Sequence, residues 1–264
     1  MRPQVSVITP LYNYAEYVAW TIKSVLKQTC QSFEHILVDD GSTDESAEVV
    51  RPFLSDDRIR LIELGKNCGF SVAKNIGIEA SRADYITTID ADDMLTRDSL
   101  QLRLDYLQQH QQYDGVHGRV YICTDAGDAT ERTHELAEDP WHPQRMREHA
   151  ARGSDTPWEA VHAQGVLCRR SVYERVGLYD EEMRWKADRE MWYRMMHHGC
   201  RLGYLDAFVA IYRLHGRNMS QSEERRRSNI EEVFRRKCRE RGGSRLPDDV
   251  KRLAPLPPRG LTVD

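Results

Sequence analysis

Apolar positions in the first ninety residues fall into short, β-branched runs separated by stretches with helical spacing. Val5 to Thr9, His35 to Val38 and Tyr85 to Ile89 read as buried strands, with Ile59 to Glu63 as a fourth. A strand covered on both faces has no polar side to alternate with, so its apolar run is nearly continuous. Between these runs, Glu16 to Gln28 sets Val18, Ile22, Val25 and Leu26 at helical spacing, and Ser71 to Ala80 repeats the pattern with Val72, Ile76 and Ala80. Asp44 to Leu54 opens on a Ser/Thr/Asp cap region and predicts another helix. Strands alternating with helices imply an α/β fold with a parallel sheet covered on both faces.

Ligands of such sheets bind beyond the carboxyl ends of the strands. The residues found there are Pro10-Leu11-Tyr12-Asn13, Asp39-Asp40-Gly41-Ser42 and Asp90-Ala91-Asp92-Asp93. The last group crowds Asp90, Asp92 and Asp93 together, although neighbouring carboxylates repel and resist desolvation. A hard divalent cation, Mg²⁺ or Mn²⁺, takes oxygen ligands and would offset that charge. An Asx-rich turn capping a helix near Thr96 is the alternative, because Asp is common in turns.

From about residue 125 the pattern loosens through TDAGDATERTHELAEDPWHPQRMREHAARGSDTPWEA, a polar stretch that reads as a loop over a site. Order returns at Val161 to Arg170 and VGLYDEEM, followed by a helix from Asp188 to His198 that stops at Gly199 and a strand from Phe208 to Arg213. Glu223 to Arg241 predicts a basic helix, and LAPLPPRG a Pro-rich tail. The chain of 264 residues is therefore expected to hold one domain over residues 1–220 and a tail over residues 221–264.

Charge and cysteine content narrow the function. A net charge of -4 argues against a nucleic-acid partner. Six scattered cysteines without a CxxC pair or zinc-ligand spacing predict reduced thiols. No apolar stretch approaches a signal peptide or a membrane span, so the expected location is the cytoplasm, at most peripheral to a membrane.

Taken jointly, VSVITPLYN, HILVDDGSTD, NCGFSVAKNIGI, TTIDADD, GLYDEEMRWKADREMWYRM and IYRLHGRNMS, in this order over residues 3–220, resemble the family 2 glycosyltransferases. The resemblance implies the GT-A fold, a Rossmann-like, mostly parallel sheet with a nucleotide-binding half (1–95), an acceptor and catalytic half (96–220) and a helical tail. It implies a nucleotide site with Pro10, Tyr12 and Asn13 on the first loop, Tyr12 packing on the base and Asp40 accepting from a base N–H. An aromatic face supplies stacking area, and a carboxylate reads an imide donor. Asp39 is either a ligand contact or a cap for the following helix. Asn67, Gly69 and Lys74 approach the nucleotide, with a phosphate contact and a solvated helix face as the readings of Lys74. Asp90 and Ala91 line the ribose or metal shell, Asp92 binds the metal, and His215 approaches the metal or diphosphate.

On the acceptor side the same resemblance makes Asp188 the catalytic base. Here Ala187 departs from the Glu usual before that Asp, and Glu190 is a rival carboxylate. Trp158, His162, Gln164 and Trp185 are acceptor-side candidates, and Asp93 is either an acceptor-side carboxylate or a support behind the metal site. The implied activity is inverting, metal-dependent transfer from a nucleotide-diphosphate sugar, most simply a UDP-sugar, to a glycan or lipid-linked glycan in surface polysaccharide synthesis. The basic helix could touch an anionic membrane surface, join two copies of the chain, or stay a solvated face. Two rivals are a sugar-nucleotide pyrophosphorylase, which should carry a Gly-rich phosphate loop where this chain has VITPLYNYAEY, and a non-catalytic binder, for which Ala187 is the only support.

Overall fold

The four predicted strands become the parallel half of one sheet in the computed structural model, which describes residues 2–124, 137–138, 161, 163–183 and 185–218. They are β1 (Val5–Leu11), β2 (Phe33–Asp39), β3 (Ile59–Glu63) and β4 (Tyr85–Thr88), in spatial order β3-β2-β1-β4. Every side chain of β1 and β2 is buried, as their continuous apolar runs require. Pro10 lies inside β1 rather than in the loop after it. The ladder to β4 has ended at Ile8, so the N–H that Pro10 lacks is not missed there.

Strand direction reverses beyond β4. β8 (Val166–Arg169) is antiparallel to β4, and β6 (Gly115–Thr124) is antiparallel to β8. β9 (Leu202–Leu214) runs parallel to β6, and the short β5 (Met94–Leu95) closes the order antiparallel to β9, with β7 (Ala137–Glu138) paired to β6 off this path. β9 is longer than its expected Phe208 to Arg213 because Leu202 to Leu205 pair with Gly115 to Gly118 ahead of a bulge. The bulge takes up Asp206 and Ala207, which break the apolar run that sequence reading follows.

Helices cover both faces. α3 (Phe70–Ala80), α5 (Arg170–Val176) and α6 (Ala187–His197) bury Ala73, Val172, Met191 and Trp192 against Ile8, Ile36, Val38 and Ile86. α1 (Val18–Leu26) and α4 (Ser99–Gln109) bury Val25, Leu100 and Leu104 against Val5 and Val7 on the other face. Each such fully buried aliphatic side chain contributes roughly 1.5–3 kcal/mol. Gly77 sets the spacing of α3 on the sheet, since a Cβ there would lie 2.3 Å from Cγ2 of Ile8.

The helix expected over Asp44 to Leu54 is cut short. α2 (Ser46–Val50) gives way to a 3₁₀ turn, Arg51–Ser55, where Pro52 removes an N–H and would crowd the carbonyl of Glu48 in an α-helix. The helix expected near Thr96 starts instead at Ser99. Thr96 is drawn to β9, with its N–H donating to Val209 O and its hydroxyl to Phe208 O.

Buried polar groups fasten helices and strands. Arg103, wholly buried on α4, donates to Thr87 Oγ1 at 3.0 Å, Ser99 Oγ at 2.8 Å and Ser99 O at 3.1 Å, and burial lowers it to about 9. His35 on β2 meets Thr9 Oγ1 at 2.9 Å through Nε2, and burial lowers it to about 3. Among the described residues the cysteines are free thiols, and no helix is long and apolar enough to cross a membrane.

Candidate active site

Loops at the ends of β1 and β2 are tied to each other before any ligand arrives. Asn13, in the left-handed region at φ 58°, accepts from Thr43 N–H at 2.7 Å and Asp44 N–H at 3.3 Å through Oδ1, and its own N–H donates to Ser42 Oγ at 3.0 Å. Asp39 accepts from the N–H and hydroxyl of Ser42 and closes its own turn, and it does not cap the following helix, whose N-cap is Glu45. Asp40, 3% exposed, accepts from Cys68 N–H at 2.6 Å and Gly69 N–H at 2.9 Å. Gly69 precedes α3 at φ 108°, which a side chain would resist. Asn67 is exposed beside it, and Tyr12, 40% exposed, presents its ring at the end of β1.

After β4 the chain turns tightly, with Asp93 N–H donating to Asp90 O at 3.1 Å, and the carboxylates gather. Oxygens of Asp90, Asp92 and Asp93 lie within 4.8 Å of one another. Asp90 accepts from Gln164 Nε2 at 3.1 Å and faces Lys74 Nζ at 3.8 Å. Lys74 is 1% exposed, and its ammonium sits over the Phe70 ring at 4.1 Å, which removes the solvated helix face as a reading. Ala91 is buried, with its carbonyl accepting from Thr21 Oγ1 at 2.8 Å.

Asp92 is held from the far end of β9. Its Oδ2 lies 3.0 Å from His215 Nε2 and 3.2 Å from Asn218 Nδ2, while Arg213 Nε donates to its carbonyl at 3.1 Å. Nδ1 of His215 accepts from Arg217 N–H at 3.2 Å, so the imidazole proton sits on Nε2 and points at Asp92. The His215 ring stacks on Tyr17 at 4.5 Å and meets Tyr14 edge-on at 6.1 Å.

Asp93 is wholly buried and accepts from Arg213 N–H at 2.9 Å through Oδ1, whereas Oδ2 has no partner. With no exposed surface Asp93 cannot meet an acceptor, which leaves the other of its two readings, a carboxylate behind Asp90 and Asp92. Burial, then the charges of Asp92 and Asp90, hold Asp93 well above the usual carboxylate range. Burial also raises Asp90, to about 6, with Lys74 opposing and Asp92 and Asp188 reinforcing the shift. The Tyr14 phenol is pushed up by burial and by all three carboxylates.

This imbalance is the test of whether a cation fits. Carboxylates crowded together, one with an oxygen left bare in the interior, form an all-oxygen donor set that a hard divalent ion would neutralise. The residues therefore fit such an ion.

Asp188 is the second residue of α6, preceded by Lys186 in the left-handed region at φ 54°, and it makes no cap bond. The N-cap position is held by Lys186, so Asp188 lies inside the first turn. Asp188 is half-buried, and its charge adds to the upward shift of Asp90. The rival Glu190 is buried and receives Arg194 Nε at 2.7 Å, and Arg194 in turn donates to Val176 O and Leu178 O. Arg194 is thus a structural clamp. Ala187 packs in the apolar cluster beneath α6, so it does not line the acidic turn.

Gln164 reaches Asp90 from the turn before β8, and Trp185 is half-buried just ahead of α6. Trp158, His162 and the basic helix lie outside the described residues. Sequence reading assigned no role to Tyr14, Tyr17, Arg213 or Asn218. The i, i+3 spacing of YNYAEY carried a signal for the tyrosines, and Asn218 stood inside the quoted IYRLHGRNMS run.

A parallel half-sheet with an acidic turn at its carboxyl edge, followed by antiparallel strands, agrees with the GT-A fold that the sequence motifs implied. Residues 6–177 match the family described as "Glycosyl transferase family 2", and the chain belongs to it. Among curated relatives, an uncharacterized glycosyltransferase of Haemophilus influenzae is 38% identical over 46% of this chain and 48% of its own length. The Bacillus subtilis glycosyltransferase TuaG, provisionally named for teichuronic acid biosynthesis, is 37% identical over 41% of this chain and 43% of its own. The chain thus spans about half the length, or less, of these relatives. Staphylococcal (S. aureus) TarS in complex with UDP-GlcNAc has the same fold at TM-score 0.70 and 19% identity, covering 94% of this chain and 69% of that one. The mannosyltransferase PcManGT of Pyrobaculum calidifontis, in complex with GDP-Man and Mn²⁺, reaches 0.67 at 19% identity, over 94% of this chain and 67% of that one.

Proposed function

We propose that this chain is an inverting, metal-dependent glycosyltransferase that moves a sugar from a nucleotide-diphosphate donor, a UDP-sugar, to a hydroxyl of a growing or lipid-linked glycan. The observation that carries the reading is the gathering of Asp90, Asp92 and Asp93 at the carboxyl edge of the parallel strands, with His215 brought onto Asp92 from more than a hundred residues away. TarS with UDP-GlcNAc and PcManGT with GDP-Man and Mn²⁺ support donor and metal by likeness of fold, and TuaG supports a surface polysaccharide as product.

Tyr12 offers its face to the base, Asp40 an oxygen to a base N–H, and Pro10, Asn13, Asn67 and Gly69 shape the backbone around them. Asp39 holds the turn that aims Asp40. Lys74 and Gln164 orient Asp90 toward the ribose and the ion, and Ala91 keeps the turn tight. Asp92 is the carboxylate ligand to Mn²⁺ or Mg²⁺, with His215 beside it. Such an ion, when bound, stabilises the charge that develops on the departing diphosphate.

Asp188 accepts the proton of the acceptor hydroxyl as that oxygen attacks the anomeric carbon from the face opposite the diphosphate, so configuration inverts and no enzyme-linked intermediate is needed. Trp185, with Trp158 and His162, flanks the acceptor. Donor and chain share the cytoplasm on this reading, with the basic helix resting on an anionic membrane face. Nothing in the geometry favours a pyrophosphorylase.

Nucleotide release from a panel of nucleotide sugars, with and without Mn²⁺, identifies the donor. Replacing the base, Asp188→Asn, should lower kcat about 10²–10⁴-fold while nucleotide binding stays intact. Normal turnover by that variant would remove Asp188 as the base.

A further inference from the structure

We propose that Asn218 is a positioning residue that aims Asp92 at the ion, an inference that rests on the metal-dependent reading above. Asn218 is 3% exposed and its amide is fully committed. Nδ2 donates to Asp92 Oδ2 at 3.2 Å and to Arg213 O at 2.9 Å, and Oδ1 accepts from His215 N–H at 2.5 Å. Its backbone N–H returns to His215 O at 3.2 Å, so the turn from Arg213 to Asn218 is closed from both sides.

This turn meets the acidic cluster at four points. Arg213 N–H reaches Asp93, Arg213 Nε reaches the Asp92 carbonyl, and His215 and Asn218 share one oxygen of Asp92. Two donors on Oδ2, with the Tyr14 phenol also hydrogen-bonded to this carboxylate, fix its rotation toward Asp90 and Asp93. A carboxylate ligand held this way need not be ordered when the ion binds, which is why outer partners of metal ligands usually matter 10–100-fold in affinity. Asn218 also sets His215, because the amide oxygen holds the His215 backbone while Tyr17 holds the ring.

Mn²⁺ titrated calorimetrically into metal-free full-length chain, without nucleotide, tests this in wild type, Asn218→Ala and Asn218→Ser. The serine hydroxyl keeps an oxygen near the His215 N–H but lacks the amide nitrogen that donates to Asp92, so it spares more of the turn. Both variants should bind Mn²⁺ about tenfold more weakly. In turnover, about tenfold more Mn²⁺ should restore kcat, and donor KM at saturating Mn²⁺ should stay within about twofold of wild type. A purely structural role would lower the melting temperature and leave the Mn²⁺ affinity of the folded protein unchanged, and that result in either variant overturns the proposal. Wild type that binds neither Mn²⁺ nor Mg²⁺ overturns the metal reading as well.

Discussion

The two acidic edges of this site differ in how their charges are met. After β2, Asp39, Asp40 and Asp44 each accept hydrogen bonds from N–H groups of the surrounding loops, and Asn13 laces two of those loops together. After β4, Asp93 has a bare buried oxygen, Asp90 is raised to about 6 first by burial, and Lys74 Nζ stands 3.8 Å from Asp90, beyond hydrogen-bond reach. The first edge is a finished scaffold. The second is held in deficit, and on the proposed reading a cation would complete it.

Removing a charge should therefore have opposite consequences at the two edges. Asp40→Ala takes the acceptor from two backbone N–H groups and frees the loop that starts α3. Because hydrogen bonds to charged groups contribute about 1.5–3 kcal/mol each, a loss of roughly 3 kcal/mol in urea unfolding is expected. An unchanged midpoint would mean that the loop does not depend on Asp40.

Per pH unit, a smaller effect comes from His35 beneath the scaffold edge. Its folded value near 3 lies below the unfolded value of about 6.5, so the unfolded chain binds the extra proton. Stability should fall as pH drops from about 6.5 toward 3, by about 1 kcal/mol per pH unit, and this part of the slope should vanish in His35→Gln. An identical slope in that variant would assign the pH dependence elsewhere.

Smallest in size, but opposite in sign, is the change expected at the deficient edge. Asp93→Asn keeps the acceptor for Arg213 N–H and replaces the bare oxygen with a donor facing Asp90 and Asp92. The metal-free variant should be more stable than wild type by about 1 kcal/mol, and should bind Mn²⁺ more weakly. Destabilisation comparable to that of Asp40→Ala would erase the distinction between the two edges.

How much of this could be read from sequence follows the same division. β1 to β4, α1 and α3 were legible because local periodicity reports burial, and the acidic turn was legible because Asp90, Asp92 and Asp93 stand together in the chain. The reversal of strand direction at β8 and the bulge in β9 were not, since pairings between distant strands leave no local period. Lys74 fits an amphipathic helix as well in solvent as against Asp90, and only packing against Phe70 and Tyr179 decides. Asn218 and Tyr17 were silent for a related reason. Their roles exist only once residues more than a hundred positions away are brought beside them.

The central claim is that the turn after β4 is a metal centre built around Asp92, and the melting temperature of metal-free protein with and without Mn²⁺ tests it most directly. At about a hundred times its dissociation constant, a ligand specific for the folded state adds about 2.7 kcal/mol. For a domain of this size that corresponds to a rise of roughly 5–10 °C in wild type, and Asp92→Ala should show none of it. No rise in wild type, or an equal rise in Asp92→Ala, would contradict the account.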